Sequence, residues 1–284
     1  MEFPKYTKTY HYDLYPALSP SNPKYSATGK VVAITGGGNG IGKSIAAAFV
    51  EAGAKDVIIL GRRENLLLDT KKELELAGRS KIHTYVADVV DAKSVNAAFE
   101  SIKETVGLVD ILVSNAGYMA SPEPIATAPV DDWWRSYEVN VKGTVIAFQA
   151  FVKAAAPDPV FISLNTAAAH AGHSSNWSAY GSSKTATLEV LAYIQQENPT
   201  IRAVSMHPGY IATTDMGSAV DPGLKPNDVK LAAAFAVWLA SPEANWTGGK
   251  LLWANWDIEE LVAWREKIVN GNELSMTLKG WPTA

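Results

Sequence analysis

From Gly29 onward, short and almost wholly apolar runs alternate with longer stretches whose apolar positions recur at helical spacing. The apolar runs predict strands at Val31–Thr35, Val57–Leu60, Lys81–Ala87, Asp110–Ser114, Val160–Leu164, Ile201–Met206 and Lys250–Trp253. Strands of this kind are covered on both faces. The stretches between them predict helices near 41–53, 64–77, 91–106, 131–155, 177–197, 227–240 and 257–269. Asp91, Asp131, Ser175 and Asn227 are N-cap residue types at four of the starts. Such alternation specifies an α/β fold, a doubly wound parallel sheet with helices on both faces. No linker interrupts residues 30–254, which read as one domain. Residues 1–29 show no period, and Tyr10, Tyr12 and Tyr15 mark them as an arm packed on the body. Residues 255–284 add one amphipathic helix and an irregular end, Gly280-Trp281-Pro282.

Composition narrows the classes. A net charge of −4 offers nothing to nucleic acid or an anionic membrane. The chain has no cysteine, which excludes disulfides, thiolate metal sites and cysteine nucleophiles. No apolar run approaches the roughly 20 residues that span a bilayer, and Met1-Glu2-Phe3-Pro4-Lys5-Tyr6 lacks the uninterrupted apolar stretch expected of a signal peptide. The expected setting is cytoplasmic.

Every candidate for chemistry falls just after a predicted strand, where open α/β sheets bind ligands. Behind the first strand runs Thr35-Gly36-Gly37-Gly38-Asn39-Gly40-Ile41-Gly42, opening a helix of small residues. Glycines allow the sharp turn and close backbone approach that a pyrophosphate needs, and the helix start offers free N–H groups. Gly36, Gly38, Asn39, Gly40, Ile41 and Gly42 are therefore dinucleotide-binding candidates. The second strand ends in Gly61-Arg62-Arg63. A carboxylate there would favour a free ribose hydroxyl, whereas the paired guanidiniums Arg62 and Arg63 suit a 2′-phosphate. That points to NADP(H); a solvated charge pair at a helix start is the other reading. Asp88 and Val89 close the third strand, where the Asp88 carboxylate could accept from an adenine amino group or cap the next helix. Asn115-Ala116-Gly117 closes the fourth, and its small residues suit a cofactor or a plain turn. Tyr180 and Lys184, four apart on a helix, share one face. A neighbouring ammonium is expected to lower the phenol pKa and make Tyr180 a usable acid/base.

With these residues in place, the chain resembles the short-chain dehydrogenase/reductase family over 30 to about 254. The resemblance rests on Thr-Gly-(three residues)-Gly-Ile-Gly at 35–42, Asn-Ala-Gly at 115–117, Asn140, Tyr-(three residues)-Lys at 180–184, and Pro208-Gly209 with Thr213. The arm and Trp253-Ala254-Asn255-Trp256-Asp257 are similar to filamentous-fungal members. The resemblance implies a Rossmann-type sheet of about seven strands, a nicotinamide cofactor and hydride transfer between alcohol and carbonyl. It implies Tyr180 as general acid/base, Lys184 on the nicotinamide ribose, and Asn140 holding a relay water. Pro208, Gly209, Ile211 and Thr213 would lie along the nicotinamide amide. The family's serine after strand five falls on Ala167 here, with hydroxyls at Thr166 and Ser163. Thr166 is the candidate to hydrogen-bond the substrate oxygen.

Met119, His170, Trp177, Tyr210 and Met216 are candidate walls of a substrate pocket, with Tyr118 and His173 beside them. Residues 214–226, with Gly217, Pro222, Gly223 and Pro226, read as a lid. His170 and His173 lack further ligands at useful spacing, so no metal is expected. His207 reads as structural, and Trp133 and Trp134 as subunit contact or core. The expected function is an NADPH-dependent carbonyl reductase or alcohol dehydrogenase acting on a hydrophobic or aromatic ketone, with the fungal resemblance suggesting secondary metabolism, as a homodimer or homotetramer. The irregular serine position keeps open a redox-neutral isomerisation, dehydration or cyclisation. A non-catalytic NADP(H) sensor is a further alternative.

Overall fold

The computed structural model describes residues 5–76, 80–219 and 223–278. Seven parallel strands form one sheet in the order β3-β2-β1-β4-β5-β6-β7. They are β1 (Val31–Thr35), β2 (Asp56–Gly61), β3 (Lys81–Val86), β4 (Val109–Ser114), β5 (Ala155–Leu164), β6 (Arg202–His207) and β7 (Leu251–Trp253). Order reverses between β1 and β4, which are hydrogen-bonded neighbours. The helices are α1 (Gly40–Glu51), α2 (Glu64–Glu75), α3 (Ala92–Thr105), α4 (Val130–Tyr137), α5 (Gly143–Ala154), α6 (Ser178–Glu197), α7 (Val229–Ala240), α8 (Ile258–Ala263) and α9 (Arg265–Asn270). β1 is buried at every position, because apolar layers cover both faces. One layer gathers Ile45 and Phe49 of α1 with Leu231–Leu239 of α7. The other gathers Phe99 of α3, Phe151 of α5 and Leu191 of α6.

α7 is buried from Leu231 through Leu239. A helix apolar all round needs cover on its outer side. The arm supplies it: Leu18, Tyr25 and Ala27 belong to the same buried cluster. Tyr10 bridges Trp256, and the Lys8 and Thr9 N–H groups donate to the Glu260 carboxylate, each at 2.8 Å. At the outer edge of β7, the Leu251 N–H donates to the Leu274 carbonyl at 2.8 Å, and the Trp253 carbonyl accepts from the Trp256 N–H.

Several sequence expectations change. The helix expected over 131–155 is two helices joined by a π-helical turn, Glu138–Lys142, which holds Asn140. The helix expected over 257–269 breaks at Trp264. Asp91 caps α3 by accepting from the Lys93 N–H. The other three expected caps sit elsewhere. α4 follows Pro129 with Asp131 inside its first turn, α6 follows Trp177, and α7 is capped by Asp228. Asn227 cannot cap because its side-chain oxygen accepts from the Tyr210 N–H at 2.8 Å. β5 begins at Ala155, with a register shift opposite β4 and Asp158 at φ 52°. Pro157 and Pro159 conceal that extension in the sequence. Pro222 and Gly280-Trp281-Pro282 lie outside the described residues. Among those described, no helix is long and apolar enough to cross a membrane.

Candidate active site

The glycine loop is built against the end of β4. The Thr35 hydroxyl accepts from the Asn115 and Ala116 N–H groups, both at 3.1 Å. The Asn115 side-chain amide donates to the Thr35 carbonyl at 2.9 Å and the Gly36 carbonyl at 3.2 Å. This staple explains two glycines. Gly36 is at φ +68°, and a Cβ there would meet the Asn115 amide nitrogen at 2.8 Å. A Cβ on Gly42 would lie 2.3 Å from the Gly36 carbonyl oxygen. Gly40, at φ +55°, starts α1, and Asn39 makes no side-chain cap. The first N–H groups of α1 therefore keep their donors for an anion. Gly38 packs on α2, where the Thr70 hydroxyl donates to its carbonyl at 2.9 Å. A backbone cradle that excludes Cβ atoms, at an uncapped helix start, fits a dinucleotide pyrophosphate.

Gly61 ends β2, with Arg62 and Arg63 exposed just beyond. Arg62 faces Asp88 across 3.8 Å. The other Asp88 carboxylate oxygen accepts from the Val90 N–H at 3.1 Å, so this group turns its own loop as well as pairing. Val89 packs under the start of α5, where a Cβ on Gly143 would come within 3.0 Å of it.

Thr166, Tyr180, Lys184 and Asn140 converge at the ends of β4 and β5. Thr166 opens a 3-10 turn, Ala167–Ala169, and its hydroxyl accepts from the Ala168 N–H at 3.3 Å. The same hydroxyl lies toward the Tyr180 phenol and favours its ionised form. Tyr180 and Lys184 are both buried. The Lys184 ammonium donates to the Leu164 carbonyl at 2.8 Å and stands 5.9 Å from the Tyr180 ring centre. This corrects the expected lowering of the phenol pKa. Burial pushes Tyr180 up to about 12, against the opposing effect of the Thr166 hydroxyl. Burial also brings Lys184 down to about 8. Desolvation prevails because the ammonium is turned toward a strand carbonyl.

Asn140 is fully engaged. Its side-chain oxygen accepts from the Tyr118 N–H at 2.9 Å, and its amide donates to the Tyr118 carbonyl and the Ser183 hydroxyl at 2.8 and 3.0 Å. Its backbone carbonyl accepts from the Thr144 and Thr187 hydroxyls at 2.7 and 3.2 Å. Gly117 lies over this group: a Cβ there would be 3.4 Å from the Asn140 side-chain oxygen and 3.7 Å from the Lys184 nitrogen.

The segment after β6 closes the site from the other side. Gly209 is at φ +86°. Tyr210 is held by Asn227, and Ile211 is buried. Thr213 is exposed. The Thr214 methyl lies 3.4 Å from the position of a Cβ on Gly40, so this segment reaches the glycine loop. Trp177 meets the Tyr180 ring edge-on at 6.0 Å. Met119 and Met216 are half-buried. His170 is not turned to a metal: its Nε2 accepts from the Trp253 indole at 3.1 Å, and it borders a cavity of about 400 Å³ between α6, β7 and residues 272–276. His207 is buried and neutral, its pKa pushed down to about 3 by burial first and His170 second. Its Nδ1 accepts from the Ala167 N–H at 3.3 Å, which fixes the turn carrying Thr166.

Sequence reasoning missed the supporting residues. Asn165 and Ser183 are not singled out by the sequence, Thr35 stands there only as the start of the glycine motif, and Asn227 only as a helix cap. Asn165 accepts from the Thr166 N–H and donates to the Lys184 carbonyl, tying the turn to α6. Its only sequence signal is its place at a strand end.

The sequence profile of short chain dehydrogenases matches residues 30–225. A short chain dehydrogenase/reductase of Claviceps purpurea is 34% identical over 271 residues, covering 93% of this chain and 91% of its own. A short chain dehydrogenase of Emericella variicolor is 30% identical over 291 residues, covering 98% of both. Among solved structures, a Shigella flexneri putative short chain dehydrogenase complexed with NADP superposes at TM-score 0.75 and 20% identity, covering 81% of this chain and 99% of that one. Glycine cradle, sheet order and these similarities lead to one conclusion: the chain belongs to the short-chain dehydrogenase/reductase family of oxidoreductases.

Proposed function

We propose that the protein is an NADPH-dependent carbonyl reductase, reversible as an alcohol dehydrogenase. The observation that carries this reading is the convergence of Thr166, Tyr180 and Lys184 beside the glycine cradle. The reduced nicotinamide, when bound, supplies the hydride. Tyr180 remains protonated across neutral pH and serves as the proton donor to the substrate oxygen. Thr166 donates a hydrogen bond to that oxygen as negative charge builds on it, taking the part of the serine replaced by Ala167. Lys184 holds the ribose and keeps a positive charge below about pH 8. Asn140, bonded to Ser183, positions α6 and would hold the relay water. Gly61, Arg62 and Arg63 favour the 2′-phosphate of NADPH over NADH.

The Trp177 ring and the half-buried Met119 and Met216 favour a hydrophobic or aromatic carbonyl substrate. The fungal relatives support a place in secondary metabolism. The test follows NADPH absorbance against a panel of aromatic and polyketide-like ketones, with NADH in parallel. We expect turnover with a clear preference for NADPH, and Tyr180→Phe is expected to abolish turnover while leaving NADPH binding intact. Most activity surviving in Y180F would remove Tyr180 as proton donor.

A further inference from the structure

We propose that Asn227 is a positioning residue for the Gly209–Ile211 segment, held in place from outside by the N-terminal arm. The inference rests on the cofactor reading above, in which this segment lies along the nicotinamide amide. Asn227 grips the segment twice. Its N–H donates to the Tyr210 carbonyl at 2.7 Å, and its side-chain oxygen accepts from the Tyr210 N–H at 2.8 Å. The grip is tight against Gly209, where a Cβ would fall 2.6 Å from that same oxygen. Only a residue without a side chain fits there, and its φ of +86° also favours glycine.

The far side of Asn227 faces the arm. The neighbouring Asp228 N–H donates to the Tyr12 carbonyl at 2.8 Å. The Asn227 amide stands 3.5 Å from the His11 and Tyr12 carbonyls. The arm is itself anchored to the segment after β7. The His11 N–H donates to the Asn255 carbonyl at 2.7 Å, and the Asn255 amide returns a bond to the His11 carbonyl at 2.9 Å. The His11 ring pairs with Asp257 at 2.9 Å and stacks on Tyr15 at 3.6 Å. A continuous set of contacts thus runs from residues 255–257, through arm residues 11–12, to the backbone beside Gly209. The arm lies outside the matched family region, residues 30–225. It becomes a working part of the cofactor site rather than a cover for α7 alone.

The test measures NADPH affinity by tryptophan-fluorescence quenching on the full chain, well below the unfolding temperature. Asn227→Ala is expected to weaken NADPH about tenfold, the effect of one or two lost hydrogen bonds on a positioned segment. Asn227→Asp keeps the acceptor for the Tyr210 N–H and is expected to restore affinity to within about threefold of the wild type. His11→Ala touches no residue of the site and is expected to weaken NADPH about threefold by loosening the arm. A purely structural role would lower the melting temperature of N227A and H11A without moving the affinity of the folded proteins. Wild-type affinity in H11A and in folded N227A overturns the proposal, and H11A decides it alone if N227A does not fold. A wild-type protein that binds no NADPH would instead remove the cofactor reading.

Discussion

At the scale of the residue, burial decides the behaviour of the acid/base pair. The phenol of Tyr180 and the ammonium of Lys184 are each pushed toward neutrality by loss of water. A buried lysine whose pKa falls from 10.5 to about 8 opposes folding wherever the unfolded chain keeps it charged. That penalty is absent above about pH 10.5 and is complete once pH has fallen through 8. At pH 7, Lys184→Met should therefore stabilise the cofactor-free protein by roughly 1–3 kcal/mol in denaturant unfolding while abolishing turnover. Loss of stability would mean that the Leu164 hydrogen bond outweighs the desolvation. The Thr166 hydroxyl is the other residue-level test. Thr166→Val should lower kcat about 100-fold, and Thr166→Ser should keep most of it. Equal turnover in all three proteins would take Thr166 out of the reaction. The location of Thr166 was legible only as a hydroxyl one step from the family's position. Its contact with Tyr180 depends on the 3-10 turn and on the His207 bond to Ala167, neither of which leaves a spacing pattern.

At the scale of the element, legibility follows periodicity. β1, β2 and β4 are runs of branched apolar residues, and their positions were plain within a residue or so. The helix split around Asn140 was not plain, because a π-helical turn keeps the apolar spacing and changes only the hydrogen-bond ladder. Caps were misplaced where the polar side chain had a stronger partner at a distance, as Asn227 has in Tyr210. The glycine loop was legible as a phosphate cradle, but the role of Asn115 was not. It read as a cofactor contact or a plain turn, and its amide also staples the cradle together. This bears on Gly42. Its missing Cβ makes room for the Gly36 carbonyl and the Asn115 amide, at 2.3 and 2.5 Å from where that atom would be. Gly42→Ala should cost about 2–3 kcal/mol of stability by overpacking and should weaken NADPH binding as well. Chemical denaturation and a binding titration check both; an unchanged midpoint would show that the loop relaxes freely.

At the scale of the whole molecule, the ends of β5, β6 and β7 meet in one aromatic group, buried His207 and Trp253 with His170 at its exposed rim. Burial holds His207 neutral, with a pKa near 3 against an ordinary 6.5. The unfolded chain takes up that proton first, so the stability present above pH 6.5 is lost progressively as pH falls toward 3. Burial lowers His170 in the same direction. The slope from His207 alone should reach about 1.4 kcal/mol per pH unit below pH 6. Denaturant midpoints measured from pH 7 to 4.5 should fall steeply in the wild type and less steeply in His207→Gln. Identical slopes would assign the acid sensitivity elsewhere.

The seventh strand carries a different consequence. Its solvent-side Leu251 amide and Trp253 carbonyl are already engaged by the chain's own carboxyl-terminal residues. A foreign peptide seeking to lengthen the sheet on that flank must first peel this covering away. Growth of ordered fibrils by edge-to-edge annealing there is blocked for as long as the covering stays in place.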